Sequence, residues 1–294
     1  MGYLLAFVSS IFFSLYVIPR KLSSDISPLL FSLLTGTGFF ISSVVLFIFK
    51  PLLGFEEVLN IQLLWSVLAG IIWAVGFVLF VKSIDIVGLA RSNQWKNRQG
   101  PIGVILSLII LSEYATINPL FAVLAGIAIF LSANAFNVAS SKEEAKSNLS
   151  GIYLATASGL AFGIVTVINK HVTTEVGVYL QQIVWSASIT LSILIYLAIQ
   201  KNMLSKIKSL DKKNVFLGLI AGLLYLGASF FMLQSYNYLP ASIAFTIIQL
   251  SAVWTVAVGI FFFKEIDSKL FYKRILLGFI LTIVGIALLV LAKI

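Results

Sequence analysis

Residues 88–101 read Gly-Leu-Ala-Arg-Ser-Asn-Gln-Trp-Lys-Asn-Arg-Gln-Gly-Pro, and the apolar run IGVILSLIIL follows to Leu111. Arg91, Lys96 and Arg98, with the amides of Asn93, Gln94, Asn97 and Gln99, therefore belong to a segment that otherwise has the character of a membrane span. Such groups are costly in lipid and normally face a bundle interior or a water-filled cavity. Their chemistry is recognition: amides and cations hydrogen-bond a polar solute, and Trp95 offers a flat apolar face. At about 100° per residue, Arg91, Gln94, Trp95 and Arg98 share one helix face, and Asn93, Lys96, Asn97 and Gly100 share the other. A helix polar nearly all round is excluded from lipid contact. A second reading starts the helix nearer Asn97, with Arg91 and Lys96 snorkelling to the headgroups.

Weaker candidates lie elsewhere. Thr246 and Gln249 occupy a later, almost uncharged apolar segment, where an amide serves a solute or a neighbouring helix equally well. Gln181 and Trp185 are four apart and share a face, beside Gln182. Trp73 and Tyr225 are aromatic platforms or ordinary interfacial anchors. Tyr16, Arg20 and Lys21 read as one helix end in the headgroups, and Asn169, Lys170 and His171 as another. Glu113 and Glu265 read as local caps.

Catalytic readings find little support. The chain has no Cys and one His, His171, so neither a thiolate nucleophile nor a multi-histidine metal centre is available. There is no phosphate-cradling loop, no H-E-x-x-H and no nucleophile elbow. No span carries an Asp or Glu near its middle, so a carboxylate proton relay is missing. The reading has no catalytic residue, cofactor or metal.

The elements that must position these groups follow from composition. Of 294 residues 60% are hydrophobic and 11% charged, with mean hydropathy +1.06. That is an integral membrane protein. The net charge of +9 is accounted for by loop Lys and Arg, and nucleic-acid binding is not expected. A span needs about 20 apolar residues. Ten segments approach this: 2–18, 28–49, 61–81, 88–111, 117–138, 150–169, 177–200, 214–237, 240–263 and 270–292. The first lacks a basic leader and a cleavage site, and is read as a retained span.

The chain also repeats. Shifted by 152 positions, Trp65–Asn134 lies on the second half without a gap: Ala69-Gly70 on Ala221-Gly222, Asp85 on Asn237, Asn97 on Gln249, Glu113 on Glu265 and Gly126 on Gly278. A shift of 150 brings Val17-Ile-Pro-Arg20-Lys21 onto Val167-Ile-Asn-Lys170-His171. The expected fold is an all-α integral membrane protein, ten transmembrane helices in a five-plus-five inverted repeat, because an odd number of spans reverses the second copy. Residues 1–140 form the first repeat, 141–149 a polar connection and 150–294 the second. Small residues at Ser66/Gly70, Gly218/Gly222 and Ala122/Gly126 read as helix-packing sites. The loop sides differ in charge: Arg20, Lys21, Lys82, Lys142 and Lys146, the Lys cluster of 201–213, and Lys264, Lys269, Lys273 and Arg274 oppose only Lys50, Lys170 and Lys293. The positive-inside rule then puts both termini outside the cytoplasm.

Ten spans in two five-helix copies, with Glu113 and Glu265 after each fourth span and Gly126 and Gly278 in each fifth, resemble the drug/metabolite transporter superfamily over the whole chain. The end of the first span and the amide-rich fourth are similar to the bacterial glucose/ribose porter branch. The resemblance implies a compact bundle working by alternating access, with four helices of each repeat around a central cavity and the fifth packed outside. The functional expectation is a multi-pass protein of the plasma (inner) membrane that moves a small polar solute, sugar-like in the first instance, with or without a coupled proton or cation. Its binding residues would be Asn93, Gln94, Trp95, Lys96, Asn97, Arg98, Thr246, Gln249, Gln181 and Trp185. Alternatives are an exporter of amino acids or organic anions, a membrane-embedded enzyme, and a non-transporting scaffold.

Overall fold

Two prolines explain why the expected spans are not all continuous. In the computed structural model the first span divides into α1 (Gly2–Leu15) and α2 (Ile18–Leu22), and the fourth into α5 (Leu89–Lys96) and α6 (Gln99–Ile110). A proline ring collides with the carbonyl four residues earlier and has no N–H to donate. Pro19 therefore cannot bond the Leu15 carbonyl, nor Pro101 the Asn97 carbonyl, and the first helix of each pair ends there, α1 at Leu15 and α5 just before Asn97. The ninth span divides too, into α11 (Ala241–Ile248) and α12 (Ser251–Phe261), with no proline at the break.

The remaining helices are α3 (Pro28–Phe49), α4 (Leu63–Val87), α7 (Pro119–Ala135), α8 (Leu149–Val176), α9 (Val178–Ile199), α10 (Lys212–Tyr236) and α13 (Ser268–Ala292). The structure describes residues 1–23, 25–50, 59–135, 149–200, 210–263 and 268–293. Lys142, Lys146, Lys264 and Glu265 lie outside them. No strand occurs among the described residues. Seven stretches there are long and apolar enough to cross a membrane: Gly2–Leu22, Pro28–Phe49, Leu63–Val87, Leu149–Val176, Val178–Ile199, Lys212–Tyr236 and Tyr272–Ala292. Gln99–Ile110, Pro119–Ser132 and Ala241–Thr255 are apolar but shorter. The chain is a multi-pass membrane protein, all-helical among the described residues.

Local chemistry sets the helix ends. Ser27 caps α3, accepting from Leu30 N at 3.3 Å, with Pro28 at the first helical position. Asp211 caps α10 through Asn214 N. Gly88 (φ +81°) and Gly177 (φ +106°) join α4 to α5 and α8 to α9 in conformations that only glycine adopts readily. Two helices run further than expected: α4 to Val87, and α8 to Val176.

Packing relies on small residues. α3 lies against α9 and α10, α4 against α8 and α9, and α1 against α10. A Cβ on Gly222 would stand 2.3 Å from Phe39 N and Thr35 O, so α10 meets the backbone of α3 directly. On α4, a Cβ on Gly70 would stand 2.5 Å from Ser188 Cβ of α9, and Ser188 Oγ donates to Val67 O at 2.7 Å beside it. Close backbone approach is the main source of association between helices in lipid, where hydrophobic burial supplies little. α7 and α13 pair with each other, and Ser132 Oγ lies 2.7 Å from Thr282 Oγ1 across that contact.

Candidate functional site

The helix breaks meet at a central cavity. It is narrow: about 470 Å³ lies between atoms when the open mouth is counted, and about 40 Å³ of that is open to the centre of a water-sized sphere. Its walls come from α1, α4, α8, α9 and α10 and from the interrupted pairs α5–α6 and α11–α12. α8 is brought against the α5–α6 break by Gly159, where a Cβ would stand 2.5 Å from Lys96 O. That approach sets Phe162, Thr166 and Asn169 of α8 opposite Lys96 and Gln99.

One wall is aromatic. Tyr225 is at its centre, with ring centroids 4.8 Å from Trp73, 5.2 Å from Tyr16, 5.8 Å from Phe13 and 5.9 Å from Trp185. Trp73 stacks on Phe77 at 4.6 Å, and Phe39 stands edge-on to Tyr225 and Trp185. Rings braced by other rings keep their orientation and present fixed faces to a guest.

The other wall is polar. Gln99 Nε2 donates to Gln249 Oε1 at 3.2 Å, joining the two interrupted spans. Asn169 accepts through Oδ1 from Gln181 Nε2 at 3.3 Å, and Gln181 Oε1 accepts from Thr173 Oγ1 at 2.7 Å. Thr166 and Ser251 complete the neutral groups. Among the described residues, Trp185 Nε1 and Asn169 Nδ2 are buried with no hydrogen-bond partner. Lys96 is 4% exposed, with Nζ 4.9 Å from the Phe80 ring centroid and 6.0 Å from that of Phe162.

Of the residues expected from sequence, Lys96 and Trp185 line this cavity. Gln249 and Gln181 stand one hydrogen bond behind it, holding Gln99 and Asn169. Thr246 Oγ1 donates to Ser242 O of its own helix. Asn93 is buried in α5, and Asn97 is buried at the break with neither amide atom partnered among the described residues. Trp95 and Arg98 are half-buried and pair with each other, the guanidinium 4.1 Å from the ring centroid. The side chains of Gln94 and Arg91 lie outside the described residues. Gln99, Thr166, Asn169 and Ser251 line the cavity outside the expected binding set: Gln99 reads from sequence only as part of the polar block and Asn169 as a helix end, while Thr166 and Ser251 are isolated polar residues in apolar runs.

Charged groups expected in headgroups turn inward instead. Arg20 is buried, its Nη2 2.6 Å from Asp85 Oδ1 and its Nη1 donating to the carbonyls of Ser23 and Ile26. α8 continues past Lys170, whose Nζ donates to the carbonyls of Tyr236 and Leu239, while His171 Nε2 lies 3.2 Å from Gln62 Oε1. Glu113 is not a local cap. It receives Ala241 N, Ser242 N (3.0 Å) and Ser242 Oγ (2.6 Å) at the start of α11. A carboxylate there satisfies orphan N–H groups and complements the helix dipole.

Among the described residues no three His, Cys, Asp or Glu side chains converge as a metal site would require. No curated protein matches the sequence. A solved structure described only as "Crystal structure of protein" shares the fold, at 12% identity and a TM-score of 0.73, covering 99% of this chain and 97% of that one. The family described as "Sugar transport protein" matches residues 38–292. With most of the helical bundle and nearly all of the cavity wall inside that match, the chain belongs to the sugar transport protein family.

Proposed function

We propose that the chain is a secondary transporter that carries a small sugar-like solute across the plasma membrane by alternating access, with the central cavity as its solute site. The observation that carries this is the cavity itself: braced aromatic faces oppose neutral hydrogen-bonding groups at the point where interrupted helices meet. A sugar ring has an apolar face suited to Trp73, Trp185 and Tyr225, and hydroxyls suited to Gln99, Thr166, Asn169 and Ser251. Unpartnered buried N–H groups are costly, and a solute oxygen reaching Trp185 Nε1 or Asn169 Nδ2 would recover that cost. Asn93, Asn97, Thr246, Gln181 and Gln249 form the supporting layer, with Trp95 and Arg98 outside it.

The moving parts in this reading are two five-helix halves, 1–140 and 150–294. Seven long apolar stretches and three shorter apolar helices among the described residues support the ten-span reading. α5 begins at Leu89 and α11 at Ala241, α6 at Gln99 and α12 at Ser251, each pair 152 positions apart. Exchanging the halves turns the α4–α8 contact into α10–α1, and α3–α10 into α9–α4, and both members of each pair occur. Rocking of the halves would open the cavity to each side in turn. Arg20–Asp85 and Lys170 with Glu113 would then close opposite faces. A proton or cation coupled to the solute fits the same cycle.

Counterflow of labelled hexoses and pentoses by purified protein in liposomes tests this. Accumulation driven by unlabelled sugar inside is the expected result. Failure of every sugar, with folded protein in the membrane, counts against it.

A further inference from the structure

The cavity holds a lysine with no acidic partner. Lys96 lines it and is buried, and no hydrogen bond or ion pair to its ammonium occurs among the described residues. Its neighbours are the faces of Phe80 and Phe162, which attract a cation but do not neutralise it. No lining residue is acidic. The described carboxylates are committed elsewhere: Asp85 to Arg20, Glu113 to the start of α11, Asp25 to Asn214 and Asp211 to the start of α10, while Glu175 is exposed at the end of α8.

A buried ammonium is costly until a negative group pairs with it. Here the open space beside Lys96 is the space a solute would fill. We infer that the solute carries one carboxylate, so that the cavity takes a sugar acid whose carboxylate pairs with Lys96. This rests on the proposed transport reading and narrows it. A single ammonium balances a carboxylate's one charge. A phosphate monoester carries about −1.5 to −2 at neutral pH and would bring an excess negative charge into the same space. The ring and hydroxyls keep the partners already assigned: Trp185 and Tyr225 for the faces, Gln99 and Asn169 for the hydroxyls.

Trp73 and Trp185 in the cavity wall make tryptophan fluorescence a direct readout. Binding of a neutral hexose, the hexuronate of the same ring and the hexose phosphate is measured on the purified full chain. The hexuronate is expected to bind at least tenfold more tightly than the hexose, and more tightly than the phosphate. Lys96→Met is expected to lower hexuronate affinity at least tenfold. A hexose that binds wild-type protein as tightly as its hexuronate overturns the inference and leaves sugar transport standing. Tighter binding of the phosphate overturns the single-charge assignment. If none of the three binds, the inference and the transport reading fail together. The wild-type ranking needs no variant, so it stands as a test even if Lys96→Met does not fold.

Discussion

The side-chain amides of Gln99 and Gln249 meet at 3.2 Å across 150 residues of sequence. Gln99 opens α6 and Gln249 follows α11, so one hydrogen bond ties together the two places where the helices are interrupted. A Cβ on Gly100 would stand 3.0 Å from Gln249 Cγ, which makes the crossing close enough for the amides to reach.

That bond should be measurable by its coupling. Polar pairs between membrane helices contribute about 0.6 kcal/mol on average and up to roughly 1.7. Gln99→Ala and Gln249→Ala should each destabilise the detergent-solubilised protein, and the double variant should lose less than the sum. Strict additivity in a denaturation cycle would mean that the amides do not depend on each other.

The inverted-repeat reading is tested by labelling from the two sides of the membrane. Ile86 (40% exposed) and Tyr238 (58% exposed) are equivalent under the 152-residue shift. Since the chain contains no Cys, Ile86→Cys and Tyr238→Cys each carry a single thiol. An impermeant maleimide should reach them from opposite faces of oriented vesicles. Labelling of both from one face would contradict the five-plus-five arrangement.

Glu113 links the end of one interrupted span to the start of another. Removing a helix cap typically costs about 1 kcal/mol, and Glu113 receives three donors at the start of α11. Glu113→Ala should therefore lower stability by about 2 kcal/mol. Its readout is the denaturation midpoint beside Tyr114→Ala, whose side chain is exposed. Equal midpoints for the two would show that the cap adds little.

Asp25 supplies a titration signature outside the spans. Asn214 Nδ2 donates to its carboxylate at 2.8 Å, and this bond, ahead of the backbone hydrogen bond, holds its pKa below the ordinary 3.8. A depressed carboxylate stabilises the fold above its unfolded pKa, and that contribution is lost as pH falls through the folded value. The tie between the α2–α3 turn and α10 is thus intact at neutral pH and released in acid. Asn214→Ala should raise the Asp25 midpoint towards 3.8 in carboxyl-carbon NMR. An unmoved midpoint would assign the shift to other groups.

Much of the scaffold was legible because lipid imposes simple rules. Apolar runs of about 20 residues mark spans, whereas the breaks near Pro19 and Pro101 went unread, because the expected first span ends before Pro19 and the expected fourth runs unbroken through Pro101. The small residues at Gly70 and Gly222 marked close packing, and both sit against a neighbouring helix. The cavity was less legible. Lys96 stood out because charge is rare at depth, whereas Thr166 and Ser251 are chemically ordinary in a membrane helix until its neighbours are known. Asn169 was hidden by an underestimated helix: polar Asn169-Lys-His171 resembles a terminus, yet α8 runs to Val176 because Lys170 finds carbonyl partners inside the protein. Arg20 was hidden in the same way by Asp85, 65 residues on.

The central claim is that the cavity is the solute site. Counterflow by wild-type, Asn169→Ala, Trp185→Ala and Tyr114→Ala proteins tests it most directly. Both cavity variants should raise the half-saturating sugar concentration at least tenfold, about 1.4 kcal/mol of lost binding, and Tyr114→Ala should not. Wild-type affinity in both cavity variants, each folded by size-exclusion chromatography, would contradict the account.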